Sequence, residues 1–409
     1  MEGTMKRGSN MPAVGTYNQT LVLDMIRRSP VGLSRTELAE RTGLSAQTLG
    51  NVARRLAAEG FVVEGDRVVA GPGKPRTPLQ LNRTARYAVG IHLDPVVDTF
   101  VVVDLSGSVI AHAERPPAEG ADAPELISAL ARDAHALLRS ADVPLDRVLG
   151  IGVAVPGPID HDTGTLLTPP LLPSWHHTRL RERLAEAAGH PVVVEKDVVA
   201  AMVGELWAEA EHALDDAALV YYGAGVGLGM AVDGEAVRGR TGNAGDIGHL
   251  MVDPGGQQCS CGSRGCLGVS IAPERLLFDA GVTPSPMIAP GAVWDAIDEL
   301  HLRISTGDPR AVEVRDRAAG TFALALVLLN NLLDADTFVI GGPVWNRLGR
   351  ALKPALDAAL PTVRQSTATR PLLLREARLG TDLAAAGAAS LVLDEAFTAR
   401  PSDLMIGLS

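Results

Sequence analysis

Three cysteines stand within eight residues, Cys259-Ser-Cys261-Gly-Ser-Arg-Gly-Cys266, and His249 precedes them. Three thiolates and an imidazole are the donor set of a closed, tetrahedral structural zinc site. Gly262 and Gly265 allow the tight backbone turns such a site needs. The alternative is three ordinary buried thiols and a core histidine satisfied locally. Every cysteine of the chain falls in this one window, which argues against it. Four protein donors leave no open position, so metal catalysis is not expected. Nor does an odd, clustered set fit a secreted disulfide framework.

A second group of residues lies near the start of the chain. Asn18 to Arg28 carries Leu21, Val22, Leu23, Met25 and Ile26 and predicts a helix ending before Ser29-Pro30. Ser34 with Glu37 three residues on is a capping box that opens a second helix, Arg35 to Arg41, closed by Gly43. Ser45 caps a third helix from Ala46 to about Ala58, with Leu49, Val52, Leu56 and Ala57 on one face. Phe61 to Glu64 and Arg67 to Val69 alternate around Gly65-Asp66 and predict a hairpin. Helix-turn-helix plus hairpin is a winged helix, and the third helix would face bases. Gln47 and Asn51 suit adenine edges, while Ser45 and Thr48 reach phosphate or base. Arg54 and Arg55, one turn on, suit phosphates, and Arg35 the DNA backbone. Lys74 and Arg76, past the wing, would enter a minor groove. The alternative is a three-helix protein-interaction module with Arg54 and Arg55 merely solvated.

Charge supports the DNA reading. The 409-residue chain has a net charge of −11, yet residues 1–86 hold 13 Lys+Arg against 7 Asp+Glu, and the remainder holds 24 against 41. A basic head on an acidic body is the asymmetry of a nucleic-acid-binding module fused to something else. The expected partner is a double-stranded DNA operator. With 46% hydrophobic and 21% charged residues the chain is globular, not disordered. Lys6 and Arg7 are followed by no apolar run, and Thr321 to Leu333 is too short and polar-ended to span a bilayer. A cytoplasmic protein without a membrane partner is expected.

The expected organisation is a flexible arm (1–16), a winged helix (17–70), a Gly/Pro-rich linker (71–86) and a body (87–409). In the body, strands are predicted at Tyr87 to Leu93, from Thr99 around Ser106-Gly107, at Val148 to Val155, from Val192, at Ala217 to Tyr222 and from Thr337. A helix is predicted over Ala123 to Ser140, and another from the Val192 strand through Trp207. This order implies an α/β body.

These motifs resemble the ROK family, named for repressors, open reading frames and kinases. Gly248-His249 with Cys259-x-Cys261-Gly-x-x-Gly-Cys266 matches the family's zinc signature, and supports His249 as the fourth ligand. Val155-Pro-Gly-Pro-Ile-Asp160, Arg238-Gly-x-x-Gly-x-x-Gly-Asp-Ile-Gly-His249 and Gly73-Lys-Pro-Arg-Thr-Pro-Leu are similar to family signatures as well. The resemblance implies an N-terminal winged helix followed by a two-lobed, actin-like sugar-kinase fold. It also implies a ligand cleft holding Gly157, Lys196, Asp197, Asp246 and His249.

Departures from the family pattern carry the functional expectation. Kinases of the family open with Asp-x-Gly-Gly-Thr; the aligned residues here are His92-Leu-Asp94-Pro95-Val96. Asp94 puts negative charge where phosphate would lie, and Pro95 has no amide N–H. Gly223 to Gly229 and Gly341-Gly342 remain. An Asn of the sugar site aligns with Leu171, an Asn-Asp pair with Lys196-Asp197, and a Glu with Asp246. Asp197 matches the catalytic base but lacks its partners, so it reads as a vestigial base and no catalytic residue is expected. Trp175, His176 and His177 read as cleft or loop edge, and Tyr221-Tyr222 as core. The resemblance thus implies a DNA-binding transcriptional repressor, a homodimer or homotetramer, whose degenerate kinase-like body senses a sugar, a sugar phosphate or an atypical effector. Lys196 would favour an acidic ligand. The competing reading is an ATP-dependent sugar kinase with a DNA-binding head.

Overall fold

The computed structural model describes residues 11–67, 76–117, 122–209, 213–363 and 371–398. Lys74 and Val68-Val69 lie outside them. The first helix, Met11–Arg27, starts earlier than expected, so residues 11–16 are helical rather than a loose arm. Pro12 sits in its first turn, where a missing N–H costs nothing. Ser34 and Glu37 form the capping box, Glu37 N to Ser34 Oγ at 3.3 Å and Ser34 N to Glu37 Oε2 at 2.8 Å. They open the helix Arg35–Thr42, which Gly43 closes at φ 69°. The third helix, Ala46–Ala58, has the expected bounds.

The wing differs from the expected hairpin. Val62–Glu64 pairs antiparallel with Pro78–Leu81, with Val62 opposite Leu81 and Glu64 opposite Leu79. Pro78–Leu81 also pairs with Leu33–Ser34. The second wing strand thus comes from the expected linker. Leu79 explains this: it is fully buried in the head core, and Pro78 opens the strand, where a strand tolerates proline.

The body has two lobes, each built on a five-stranded sheet. The first sheet orders Val192–Lys196, Val148–Val155, Tyr87–His92, Asp98–Asp104 and Val109–Arg115, the first three parallel. The second orders Glu235–Ala236, Val226–Val232, Ala217–Tyr222, Thr337–Gly341 and Leu374–Glu376. Two helices run side by side between them: Asp197–Ala208, here the cleft helix, and Leu383–Phe397, the central helix. Their backbones touch. A Cβ on Gly387 would lie 2.1 Å from the Ala200 carbonyl oxygen, and one on Gly152 1.8 Å from that of Ala388. Among the described residues, no helix is long and apolar enough to cross a membrane.

Head and body share one core. Val22, Leu23, Ile26, Leu49, Leu56, Phe61 and Leu79 of the head cluster with Val101, Leu105, Trp207, Ala389 and Leu393 of the body. Phe61 meets Phe397 edge-on with ring centroids 5.3 Å apart.

Candidate functional site

The third helix buries Leu49, Val52, Ala53 and Leu56 and exposes Gln47, Asn51, Arg54 and Arg55. Gln47, Asn51 and Arg54 follow the i, i+4, i+7 spacing of a single stripe. Arg54 donates to Asn51 Oδ1 at 3.1 Å and so orients that amide. Ser45 and Thr48 are occupied with each other: Thr48 N donates to Ser45 Oγ at 3.2 Å, and their hydroxyls are 2.9 Å apart. Arg35 pairs with Glu64 of the wing at 2.8 Å, Arg55 with Glu59 at 3.0 Å, and Arg76 with Glu37. These are exposed pairs, weak enough for a phosphate to displace.

Four donor atoms from His249, Cys259, Cys261 and Cys266 lie within 4.8 Å of one another. His249 Nδ1 is 3.5 Å from Cys259 Sγ, and Cys261 Sγ is 3.6 Å from Cys266 Sγ. A tetrahedral ion with bonds of about 2.3 Å to sulfur spaces its sulfurs by about 3.8 Å. The donor set therefore fits a metal ion. A small hairpin builds it: Gly262 and Gly265 turn at φ 93° and 63°, and Gly265 N donates to Gln257 O at 2.7 Å.

The cluster forms one wall of a cavity of about 330 Å³ between the lobes. Gly157, Lys196, Asp197, Asp246 and His249 all line it, as does Leu171. His249 faces Cys259 Sγ through Nδ1 and also borders the cavity. Lys196 donates from Nζ to the carbonyl oxygens of Asn243 at 3.2 Å and Ala244 at 3.1 Å, not to Asp197. Asp197 accepts from Val198 N at 2.7 Å. Its burial raises its pKa to about 6, against the pull of Lys196. Trp175 is core of the first lobe. His176 bonds the Pro169 carbonyl, and neither it nor His177 lines this cavity. Tyr221 and Tyr222 are both core as expected, and Tyr221 in addition walls both this cavity and an adjoining one of about 430 Å³. Its place on an apolar strand gave no signal of that.

Sequence reasoning also missed the clasp between the lobes. Asn243, from the loop after the second sheet's edge, accepts from Ile159 N at 3.0 Å. Buried Glu195 holds His161 at 3.1 Å and Arg238 at 2.7 Å. A charged residue inside an apolar strand was the available signal.

The segment aligned with the phosphate loop is closed on itself. Val96 N donates to Asp94 Oδ1 at 2.8 Å, so an amide that could meet phosphate serves a buried carboxylate instead. Two of the retained glycines serve packing: a Cβ on Gly229 would lie 2.3 Å from Val198 O, and one on Gly342 2.5 Å from Tyr222 O. Burial raises the pKa of Asp94 to about 6 and of Asp98 to about 7, and lowers that of His92 to about 4. The raised carboxyls bind protons more tightly in the folded chain, so stability grows as pH falls through 7. His92 opposes this below its ordinary 6.5, because the folded state disfavours its charge. The melting temperature should therefore rise from pH 8 to 6.5, and D98N should flatten that rise. A steady fall over this range would contradict the assignment.

Fold and site together define a class: a winged-helix DNA-binding head on a two-lobed body of sugar-kinase type. The chain belongs to the ROK family, whose model matches residues 97–395, while a MarR family model matches residues 16–68. It is 30% identical over 267 residues to the xylose repressor of Bacillus subtilis, spanning 64% of this chain and 68% of that protein. The crystal structure of a ROK family transcriptional regulator, a homolog of the Escherichia coli MLC protein, covers 93% of this chain and 97% of that one. It has TM-score 0.73 at 23% identity, a likeness of fold. A ROK family glucokinase from Streptomyces griseus, in complex with glucose and AMPPNP, aligns with 75% of this chain and 98% of its own. Its TM-score is 0.60 at 27% identity. The head and the family together make the chain a DNA-binding transcriptional regulator of the repressor kind.

Proposed function

We propose that a neutral, hydroxylated ligand of the sugar class enters the interlobe cleft and changes the operator affinity of the head. The observation that carries this is the cleft itself. Asp197, Asp246 and His249 present polar groups suited to hydroxyls, while the segment beside them has no free phosphate cradle. Two carboxylates, Asp94 and Asp197, oppose an anionic ligand. The Lys196 charge, expected to favour one, is spent on backbone carbonyls. The xylose repressor's name supports a sugar by analogy.

The kinase reading is disfavoured on the same ground, because phosphoryl transfer depends on positioning the phosphates. The four-donor cluster suits zinc, which His249, Cys259, Cys261 and Cys266 would hold; it would supply a rigid cross-link in the cleft wall and no chemistry. A homodimer or homotetramer would present two heads to a two-fold operator. Thermal-shift screening should show neutral sugars raising the melting temperature and sugar phosphates leaving it unchanged. The stabilising sugar should alter a gel shift on the chain's own promoter region. Stabilisation by sugar phosphates alone, or sugar-dependent ATP turnover, would reverse the proposal.

A further inference from the structure

We propose that the cleft helix and the central helix form one rod that transmits the state of the cleft to the head, with Arg27 and Trp207 as its latch. The inference rests on the cleft being the effector site. The cleft helix begins at Asp197 in the cavity wall and ends about 18 Å away, at 1.5 Å per residue, just past Trp207. There the head grips it. The Arg27 guanidinium lies 3.9 Å from the Trp207 ring centroid, and Arg27 also donates to the Trp207 carbonyl oxygen. Arg28 Nη1 donates to Glu209 O at 3.2 Å. Asp24 holds both arginines, at 2.5 Å and 2.8 Å. Two cations thus sit at the negative end of the helix dipole, where unpaired carbonyls need donors. On the indole, the Gly107 turn leaves no slack, since a Cβ there would lie 2.5 Å from Trp207 Cδ1.

The central helix runs the same course. Thr381, two residues before its start, lines the adjoining cavity that shares Asp94 and Tyr221 with the first. Its last residue, Phe397, packs on Phe61 of the head. Backbone contact at Gly387 and Ala200 keeps one helix from sliding past the other without a clash. A lobe movement that displaces Asp197 must therefore displace Trp207, and Arg27 turns that into a change of head orientation.

The test uses the full chain and no effector. Operator affinity is measured by fluorescence anisotropy on duplex from the chain's own promoter region, for the parent, Asp197→Asn, Arg27→Gln and the double variant. Coupling predicts that Asp197→Asn shifts affinity at least about 5-fold in the parent and less than about 2-fold in the Arg27→Gln background. An equal shift in both backgrounds, or none in the parent, overturns the proposal. Should Arg27→Gln unfold, Trp207→Leu, which removes the ring under Arg27, takes its place with the same criterion. Hydrogen exchange of residues 15–27 gives a readout without DNA: Asp197→Asn should change their protection in the parent and not in the latch variant. Failure of D-xylose and other neutral sugars to bind would defeat the effector reading alone, while these variants still decide the rod.

Discussion

Asn51→Ala is expected to weaken operator binding by roughly 10- to 100-fold, with the loss confined to particular operator sequences. Asn51 is exposed in the middle of the recognition stripe, and Arg54 orients its amide. A bidentate amide–adenine pair contributes about 1–3 kcal/mol of discrimination, and each 1.4 kcal/mol is about tenfold in affinity. Arg54→Ala should behave differently. It would remove a phosphate contact, so its main effect should be to weaken every duplex and lower the salt slope by about 0.9, with a smaller sequence-dependent part from the freed Asn51 amide. Both positions are on the surface, so neither change should move the melting temperature appreciably. Anisotropy on the operator and on point-substituted duplexes separates the two patterns. A sequence-independent loss for Asn51→Ala would remove its assignment as a base reader.

Cys266→Ser should abolish metal binding and lower the melting temperature by roughly 5 °C. Cys266 is fully buried, and its sulfur faces that of Cys261 at 3.6 Å. Leu267 N donates to Leu250 O at 2.7 Å, so loss of the ion frees a loop that closes back beside His249. Structural zinc supplies folding free energy directly, and a change of about 3 kcal/mol moves a body of this size by roughly that much. Because His249, Cys259 and Ser260 line the cavity, the ligand-induced thermal shift should disappear with the metal. Operator binding should survive, since the recognition helix is built elsewhere. Elemental analysis should find about one zinc per parent chain and none in the variant. A zinc-free parent, or chelation without thermal effect, would refute the assignment.

What was legible in the sequence was local. The Ser34–Glu37 box, the bounds of Ala46–Ala58 and Ala123–Ser140, and the strand Val148–Val155 follow from caps and periodicity within a few residues. The cluster of His249 with the three cysteines was legible because cysteine spacing is informative. The wing pairing was not foreseen because Pro78–Leu81 lies far along the sequence from its partner Val62–Glu64, and only tertiary burial of Leu79 selects that pairing. The central helix gave no periodic signal: Leu383 to Leu393 is buried on every side, so no polar face marks the turns. Asp197 and Lys196 were found, yet the direction of the Lys196 ammonium depends on carbonyls of a distant loop.

The continuous core between head and body also limits how such a protein can acquire a new regulon. A foreign winged helix grafted onto this body would need counterparts to Arg27, Phe61 and Leu79, or it would strand Trp207 and Phe397 without partners. New operator preference is therefore most accessible by altering Gln47 and Asn51 in place, where side chains can change freely while the joint beneath them is kept.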